Sequence, residues 1–457
     1  KQINVMNRYQ YYDAEKGLVS FINFRYMNDK KQSGEVDFDP DRDRGTTNRW
    51  GSEINTQRLD LATKVGYVFK DMPFQSIGFQ NAFTLHNQNS YYGLNVYDIK
   101  QSSFYSNLIF NSIINNTKHK FATGINFAYD NYNEFVGLTD YGRVDNSVGA
   151  FFEYTYDNDD NFSLVLGGRV DNHNRLGTFV TPRLHLRYNP WEKSVLRFSA
   201  GRGKRAANIF AENQSLFASS RTFSILDTDG KIYGLNPEIA WNYGLSFNQK
   251  FQLFGRNGDA GFDLYRTDFQ NQAVVDVMQS PQQVLFYNLK GKSYATSLQI
   301  EFNYELANRF SLRSAYKYYD IQTQYLSGVY QRPLQAKHRF FGNLEYETGR
   351  SESGSQWRFD ATYNWLGKQQ LPVTASNPAQ DRLPEFSPSY NLINAQVTHV
   401  FSSNFEIYVG GENIGNYKQS KAILGAETPF GPTFDASIVY APIFGQMYYA
   451  GLRFKIK

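Results

Sequence analysis

Apolar and polar residues alternate along much of the chain, so that every second side chain is hydrophobic. In residues 297–306 the apolar positions are Leu298, Ile300, Phe302, Tyr304 and Leu306, and the polar positions are Ser297, Gln299, Glu301, Asn303 and Glu305. The pattern recurs at 58–69, at 162–171 and in the last segment, 446–457. A period of two predicts β-strands with one apolar and one polar face. Because charges fill the second face of many strands, we expect lipid on one side and water on the other, not a packed soluble core.

The connections between these segments alternate between short polar turns and long loops, and the short connection at 173–177 is the one exception. The long connections are expected at 29–54, 89–100, 132–145, 204–236, 274–291, 323–337, 369–386 and 415–444. Bacterial outer-membrane barrels keep their periplasmic turns short and extend their loops outside the cell. The sequence therefore predicts an all-β fold, a transmembrane antiparallel β-barrel of the outer membrane, in a single domain over residues 1–457.

Composition agrees with this prediction. Aromatic residues are 17% of the chain, with 34 Tyr and 38 Phe, as two interfacial girdles around a large barrel require. No stretch approaches the ~18 consecutive apolar residues of a membrane helix. The absence of Cys suits a chain that crosses an oxidising periplasm. The net charge of +4 is small, and the aromatic residues lie on the lipid face, so no nucleic-acid partner is predicted.

The number of strands predicts that further strands of the barrel lie upstream of this chain. We count about 19 strands, whereas single-chain bacterial barrels have even numbers. If the long loops are extracellular, the strands at 1–11 and 446–457 both run towards the periplasm. An odd number of further strands is then expected upstream, which makes the chain the C-terminal part of a larger protein.

Six segments carry a family resemblance that covers essentially the whole chain. They are TPRLHLRYNP (181–190), SAGRGKRAANIFAEN (199–213), GLNPEIAWNYGLSF (234–247), PLQAKHRFFGNLEYE (333–347), IYVGGENIGNY (407–417) and the closing YYAGLRFKIK (448–457). In this order the chain resembles the TonB-dependent outer-membrane receptors, in particular those of Bacteroidetes. The resemblance implies a barrel of 22 strands, an N-terminal plug and a TonB box, so that three strands, plug and box would lie outside this chain. One departure is the terminus, where Lys455, Ile456 and Lys457 follow Phe454.

The resemblance implies a function of active import. The extracellular loops would bind a scarce small-molecule chelate, and the TonB complex would act through the N-terminal part; no cofactor is required. A ferric siderophore is the first ligand expected and cobalamin the second. Haem is disfavoured, because the family's haem receptors use a His in a segment that has none here between 186 and 337. The alternative is a passive outer-membrane porin, channel or lipid transporter. No enzymatic motif is present, since GKS at 291–293 lacks the upstream glycine of a phosphate-binding loop and no HExxH occurs.

The resemblance also implies that the loop from Lys204 to Asn236 faces the ligand. Its predicted substrate-binding residues are Arg205, Asn208, Glu212, Arg221 and Tyr233. The alternative for Arg205, weighted equally, is an ion pair with Glu238 inside the wall, since charges inside proteins are usually paired.

A second candidate site is the acidic run DFDPDRDRG in the first long loop. Asp37, Asp39, Asp41 and Asp43 occupy alternate positions before Gly45, a spacing that could bring carboxylates together on Ca²⁺. The favoured alternative is a solvated acidic run partly neutralised by Arg42 and Arg44. It is favoured because no downstream Glu stands at the spacing of a calcium-binding loop.

Overall fold

The computed structural model of this chain describes residues 1–456. Its strands, in chain order, are β1 (Gln2–Asp13), β2 (Leu18–Gly34), β3 (Gly51–Val68), β4 (Ser76–Tyr92), β5 (Asn95–Ile114), β6 (Asn116–Val136), β7 (Thr139–Asp140), β8 (Arg143–Asp157), β9 (Phe162–His173), β10 (Gly177–Tyr188), β11 (Ser194–Arg205), β12 (Thr222–Ile225), β13 (Glu238–Leu253), β14 (Arg256–Asn271), β15 (Ala273–Asp276), β16 (Gln283–Asn288), β17 (Ser293–Ala307), β18 (Phe310–Tyr325), β19 (Gly328–Gln331), β20 (His338–Glu347), β21 (Gln356–Leu366), β22 (Tyr390–Ser402), β23 (Phe405–Glu412) and β24 (Met447–Phe454). A one-turn α-helix, α1 (Pro40–Asp43), and two 3₁₀-helices, Ala211–Phe217 and Ala379–Asp381, lie in the loops. No helix among these residues is long and apolar enough to cross a membrane.

One antiparallel sheet of 21 strands forms the wall of the barrel. Nineteen of them are long, and the short β7 and β19 only extend hairpins above it. The expected count of about 19 is therefore confirmed, as is the transmembrane antiparallel barrel. Each long strand hydrogen-bonds to the next one along the chain, so the terminal strands β1 and β24 pair with β2 and β23; within residues 1–456 no ladder joins β1 to β24.

The two faces of the wall have the predicted chemistry. Ile300 and Phe302 are 47% and 38% exposed, as apolar side chains in contact with lipid would be. Gln299 instead donates to Glu301 on the opposite face, and Asn303 donates to the Asp259 carboxylate at 2.9 Å. Alternating side chains thus face the hydrocarbon and the lumen, as in other outer-membrane barrels.

Short turns close the hairpins on the periplasmic side. In the turn between β8 and β9 the Asn158 side-chain oxygen accepts hydrogen bonds from the backbone N–H groups of Asp160, Asn161 and Phe162 at 2.9–3.0 Å. Asp159 adopts a left-handed φ of 64° there, which Asp tolerates better than most residues. Local side-chain chemistry therefore explains why this polar DNDD segment is a tight turn.

Two expected loops are mostly strand, so that part of the prediction is wrong. β4 continues to Tyr92 and β5 resumes at Asn95, which leaves a two-residue turn where 89–100 was expected to be loop. Likewise β6 extends to Val136 and β8 begins at Arg143, within the loop expected at 132–145. Above the membrane the pattern is reversed, with apolar residues such as Tyr97 and Ile99 on the inner face and polar residues such as Asp98 and Lys100 on the outer face, and this reversal hid the strands.

The buried core lies in the loops and strand tips, and we call this region the loop crown. It comprises the connections 206–237, 272–292, 326–337, 367–389 and 413–446 with the extracellular tips of β4, β5, β6 and β8. Its largest fully buried apolar side chains are Tyr97, Tyr287, Phe210, Phe217, Phe286, Ile209, Leu371, Leu424 and Ile438. The crown is thus packed like a small water-soluble domain set on the barrel.

Candidate ligand-binding site

A second, three-stranded sheet positions the segment predicted to bind ligand. β12 lies parallel to β16, with Thr222 opposite Gln283, and β16 is antiparallel to β15. Phe223 stacks on Phe286 with ring centroids 6.2 Å apart and an angle of 12°, and Phe217 packs on Phe223 at 4.5 Å. Burial of these aromatic rings fixes the loop 206–237 against the loop 272–292.

A buried ionic cluster centred on Arg143 joins this loop to the strand tips. Its guanidinium donates to Glu134 at 3.0 Å, to Asp145 at 3.1 Å and to the Tyr233 hydroxyl at 2.7 Å. It also donates to the Asn208 side-chain oxygen, and Tyr233 donates to Glu134. Burial, with the Glu134 carboxylate beside it, raises the pKa of Tyr233, so this hydroxyl stays a neutral donor. The structure therefore commits Asn208 and Tyr233, both predicted ligand contacts, to bonds within the crown.

Arg221 is likewise part of the crown. Its side chain is 1% exposed, and its Nε donates to the Asp435 carboxylate at 2.9 Å. One terminal nitrogen donates to the backbone oxygens of Ser280 at 3.0 Å and Gln283 at 3.3 Å. Arg221 thus joins three loops and is buried in this conformation, and its role as a ligand contact stays a prediction.

Arg205 and Glu212 are the predicted site residues with the most accessible side chains. Arg205 is 57% exposed and makes a bidentate contact with Glu212 at 2.8 and 2.9 Å. Its Nε also donates to Glu238 at 2.7 Å, directly across the β11–β13 ladder. The ion pair with Glu238 proposed from the sequence is therefore present, and it coexists with an exposed guanidinium at the mouth of the barrel.

The acidic run at residues 37–43 forms a capped turn. Asp39 caps α1 by accepting from the Asp41 N–H at 3.0 Å. Asp43 is buried and accepts two hydrogen bonds from Arg42, at 2.9 and 2.8 Å. The Arg42 guanidinium, together with the Asp39 N–H, lowers the pKa of Asp43 to about 2.

The geometry of this run adds no support to the calcium interpretation. Across residues 1–456 no group of three or more His, Asp or Glu side chains could hold a metal ion. Arg42 neutralises Asp43, as the alternative expected, whereas Arg44 lies over the Tyr91 ring at 5.0 Å. Calcium binding by Asp37, Asp39, Asp41 and Asp43 stays a prediction.

The sequence reasoning missed a cationic set inside the lumen. Lys317 lies opposite Gln299 on one side and Arg339 on the other, so both cations share the inward face. Tyr319 lies between them, with the Lys317 ammonium 5.0 Å and the Arg339 guanidinium 5.9 Å from its ring centroid. Within the described part of the chain neither cation has a carboxylate within 4.0 Å, and the buried Nε of Arg339 has no hydrogen-bond partner. The signal was the strand parity, since both cations alternate with the outward Tyr318 and Phe340.

Comparison with known families identifies the fold. The family model described as TonB dependent receptor-like, beta-barrel matches residues 2–414. The chain belongs to this family. TonB-dependent receptors are outer-membrane proteins of nutrient uptake, and the family is one of transport receptors rather than of enzymes. The comparison with curated proteins gives no match.

Solved structures share the receptor's fold at low sequence identity. The copper transporter OprC superposes with a TM-score of 0.71 at 12% identity, covering 99% of this chain and 71% of OprC. The siderophore receptor PiuA from Acinetobacter baumannii gives 0.66 at 12%, covering 99% of this chain and 74% of its own. The siderophore receptor PirA from Pseudomonas aeruginosa gives 0.63 at 12%, covering 99% and 70%. At such identity these neighbours show the fold alone.

Proposed function

We propose that this receptor imports a compact anionic metal chelate, a ferric siderophore, in a TonB-dependent manner. The observation that carries the proposal is the lumen set of Lys317, Tyr319 and Arg339, whose two cations have no carboxylate within 4.0 Å in the described chain. Cations without partners attract an anionic ligand and can form charge-assisted hydrogen bonds with its oxygens. Arg205 at the mouth is half-exposed but already pairs with Glu212 and Glu238, so it is not counted with this set.

The names of the structural neighbours support the same ligand class. PirA and PiuA are siderophore receptors, and a further neighbour from Pseudomonas aeruginosa was solved with ferripyoverdine bound. OprC is a copper transporter. Import of a soft metal such as Cu(I) would favour clustered Met or Cys ligands, and this chain has five Met and no Cys. Energy coupling would pass through the TonB complex acting on the N-terminal part of the receptor.

A binding experiment on the full-length receptor tests the ligand class. The double variant Lys317→Ala/Arg339→Ala should weaken binding of ferric siderophores about a hundredfold to ten-thousandfold, because it removes two charge-assisted contacts of roughly 1.5–3 kcal/mol each. The matched control is Arg313→Ala, which lies on the same face of β18 but pairs with Glu345 at 3.1 Å. It should leave affinity unchanged, and neither change should lower the melting temperature of the barrel.

Cell-level measurements separate the alternatives. Deleting the gene should slow growth under iron limitation, and uptake of radiolabelled ferric siderophore should stop when the proton gradient is collapsed. Uptake that persists without the gradient would favour a passive channel. Binding of cyanocobalamin, with none of ferric siderophores, would make the proposed ligand wrong.

A further inference from the structure

Charged side chains on the outer face of the barrel concentrate at the extracellular ends of β11 to β18. Arg266 on β14 lies two positions above the outward-facing Leu264, so it also faces outward, and it is paired with Tyr243 on β13. On its other side it is paired with Thr296 of β17, which is paired in turn with Asp320 of β18, so Asp320 faces outward as well. Arg202 on β11 lies opposite the outward Trp241. Over β4 to β9 the comparable outer positions carry mainly amides, such as those of Asn87, Asn131, Asn146 and Asn172. The outer surface thus has a charged sector just above its apolar band.

Within this sector two cations lack an anionic partner. Arg266 pairs with Asp268 at 2.7 Å, and Lys337 pairs with Asp320 at 3.3 Å. Arg202, in contrast, donates only to the Val180 and Gln270 oxygens at 3.3 Å.

Lys204, two residues further along β11, donates to the Leu176 carbonyl at 2.9 Å and lies over the Phe179 ring at 4.7 Å. Neither Lys204 nor Arg202 has a carboxylate within 4.0 Å in residues 1–456. Positions two apart on a strand share a face, so these two charges stand together and repel each other. An anion between them would relieve that repulsion.

An apolar groove of about 570 Å³ lies on the same surface, beside Arg202. Its lining includes the small or compact residues Gly168, Pro182 and Ala200 and the aromatic residues Phe152 and Trp241. A Cβ atom built on Gly168 would meet nothing within 4 Å, so the groove is open at this point. Trp241 stacks on Tyr243 with an angle of 8° and ring centroids 6.2 Å apart, as expected of aromatic residues at the membrane interface.

We propose that this groove and the adjoining cations form a site for one phosphorylated lipid of the outer leaflet. An acyl chain would lie in the groove, and the headgroup phosphate would contact Arg202 and Lys204. Guanidinium and ammonium groups both bind phosphate, and the cations stand just above the apolar band, where headgroups lie. A free inorganic anion would satisfy the charges but would leave the groove, which opens onto hydrocarbon, without a role. The site is on the outside of the wall, so it is independent of ligand uptake through the lumen.

Native mass spectrometry tests the proposal on the full-length receptor released from outer membranes in mild detergent. The wild type should retain a phosphorylated lipid. The Arg202→Ala/Lys204→Ala variant should retain at most about a tenth as much lipid, which is the loss expected for one or two charge-assisted contacts. Lys100→Ala is the matched control, because Lys100 also points outward above the apolar band on β5 but lies far from the groove in strand order. It should retain as much lipid as the wild type.

Variants that fill the groove test the acyl chain separately. Gly168→Leu leaves both cations in place, and its side chain has room to enter the groove; Ala200→Leu serves as a second such variant. Both should lose lipid as the double variant does, while vesicles of phosphatidylglycerol should raise the melting temperature of the wild type more than phosphatidylcholine does. Three results would overturn the proposal: no lipid on the wild type, equal loss in Lys100→Ala, or equal protection by inorganic phosphate.

Discussion

The barrel wall and the loop crown bury their side chains in opposite ways. In the wall, large apolar side chains such as those of Ile300 and Phe302 point outward and polar ones line the lumen. In the crown, aromatic residues such as Phe210, Phe217 and Phe286 are fully buried, and charged groups such as Glu134 are buried with them. The wall is therefore built like a membrane protein, and the crown has a buried core like that of a water-soluble protein.

The contrast shows where each region obtains its stability. Each wall strand is held by hydrogen bonds to the neighbouring strands and by burial of its outer face in lipid. The alternation of apolar and polar residues along the strand is enough to specify both. The crown depends on contacts between loops far apart in the sequence, such as the ion pair between Arg221 and Asp435, 214 residues apart. Substitutions that destabilise the crown should therefore leave the wall folded. The free-energy cost of a substitution in the wall should depend on whether the residue faces lipid or the lumen.

The largest effect is expected from breaking the buried ion pair of the crown. Arg221→Met leaves the Asp435 carboxylate buried without its guanidinium, and removal of one partner of such a pair typically costs about 3–5 kcal/mol. Hydrogen exchange of the β12 amides in the full-length receptor should report that loss, while the barrel keeps its resistance to unfolding in detergent. The double variant Arg221→Met/Asp435→Leu is the control and should recover most of the stability, because no unpaired charge is then buried. Equal loss of protection in the wall strands would contradict the separation of the two regions.

A smaller effect is expected in the wall, and it should depend on strand parity. Ile300→Arg places a charge towards the hydrocarbon and should cost about 2–4 kcal/mol if the position is near the bilayer midplane. Gln299→Arg, one residue away, points into the aqueous lumen and should cost close to nothing. Unfolding of the refolded receptor in lipid vesicles measures both. Similar costs for the two variants would show that the faces are wrongly assigned.

Much of the wall could be predicted because its determinants are local. Period-two alternation located the strands, and polar segments such as the turn around Asn158 located the hairpins. The tips of β4, β5, β6 and β8 escaped prediction, because above the membrane the apolar residues, such as Tyr97 and Ile99, lie on the inner face and pack in the crown. Nothing in the sequence could reveal that the loop containing β12 would pair with the loop containing β16.

The candidate site was only partly predictable for the same reason. The pairing of Arg205 with Glu238 follows from strand register and is present. The environments of Asn208 and Tyr233 depend on Arg143, which lies 65 and 90 residues away from them in the sequence. Lys317 and Arg339 were detectable through parity, but a lumen-facing cation without a partner is recognised only when the neighbouring strands are known.

The smallest effect is expected when acidic pH destabilises one loop at the edge of the crown. The folded pKa of Asp43 is about 2, below the value of about 3.9 for an unperturbed Asp. A carboxyl whose pKa is lowered by folding stabilises the folded loop fully above its unfolded pKa, and this contribution is lost as pH falls towards the folded value. The loop 35–50 should therefore loosen between about pH 4 and pH 2, and Trp50 fluorescence can follow the change.

Asp43→Asn should remove this transition, because its side chain does not titrate. Asp41→Asn, an exposed neighbour in the same helical turn, should leave it unchanged. If Asp43→Asn and Asp41→Asn shift the transition alike, the general acidity of the run, and not the bond from Arg42 to Asp43, orders this loop.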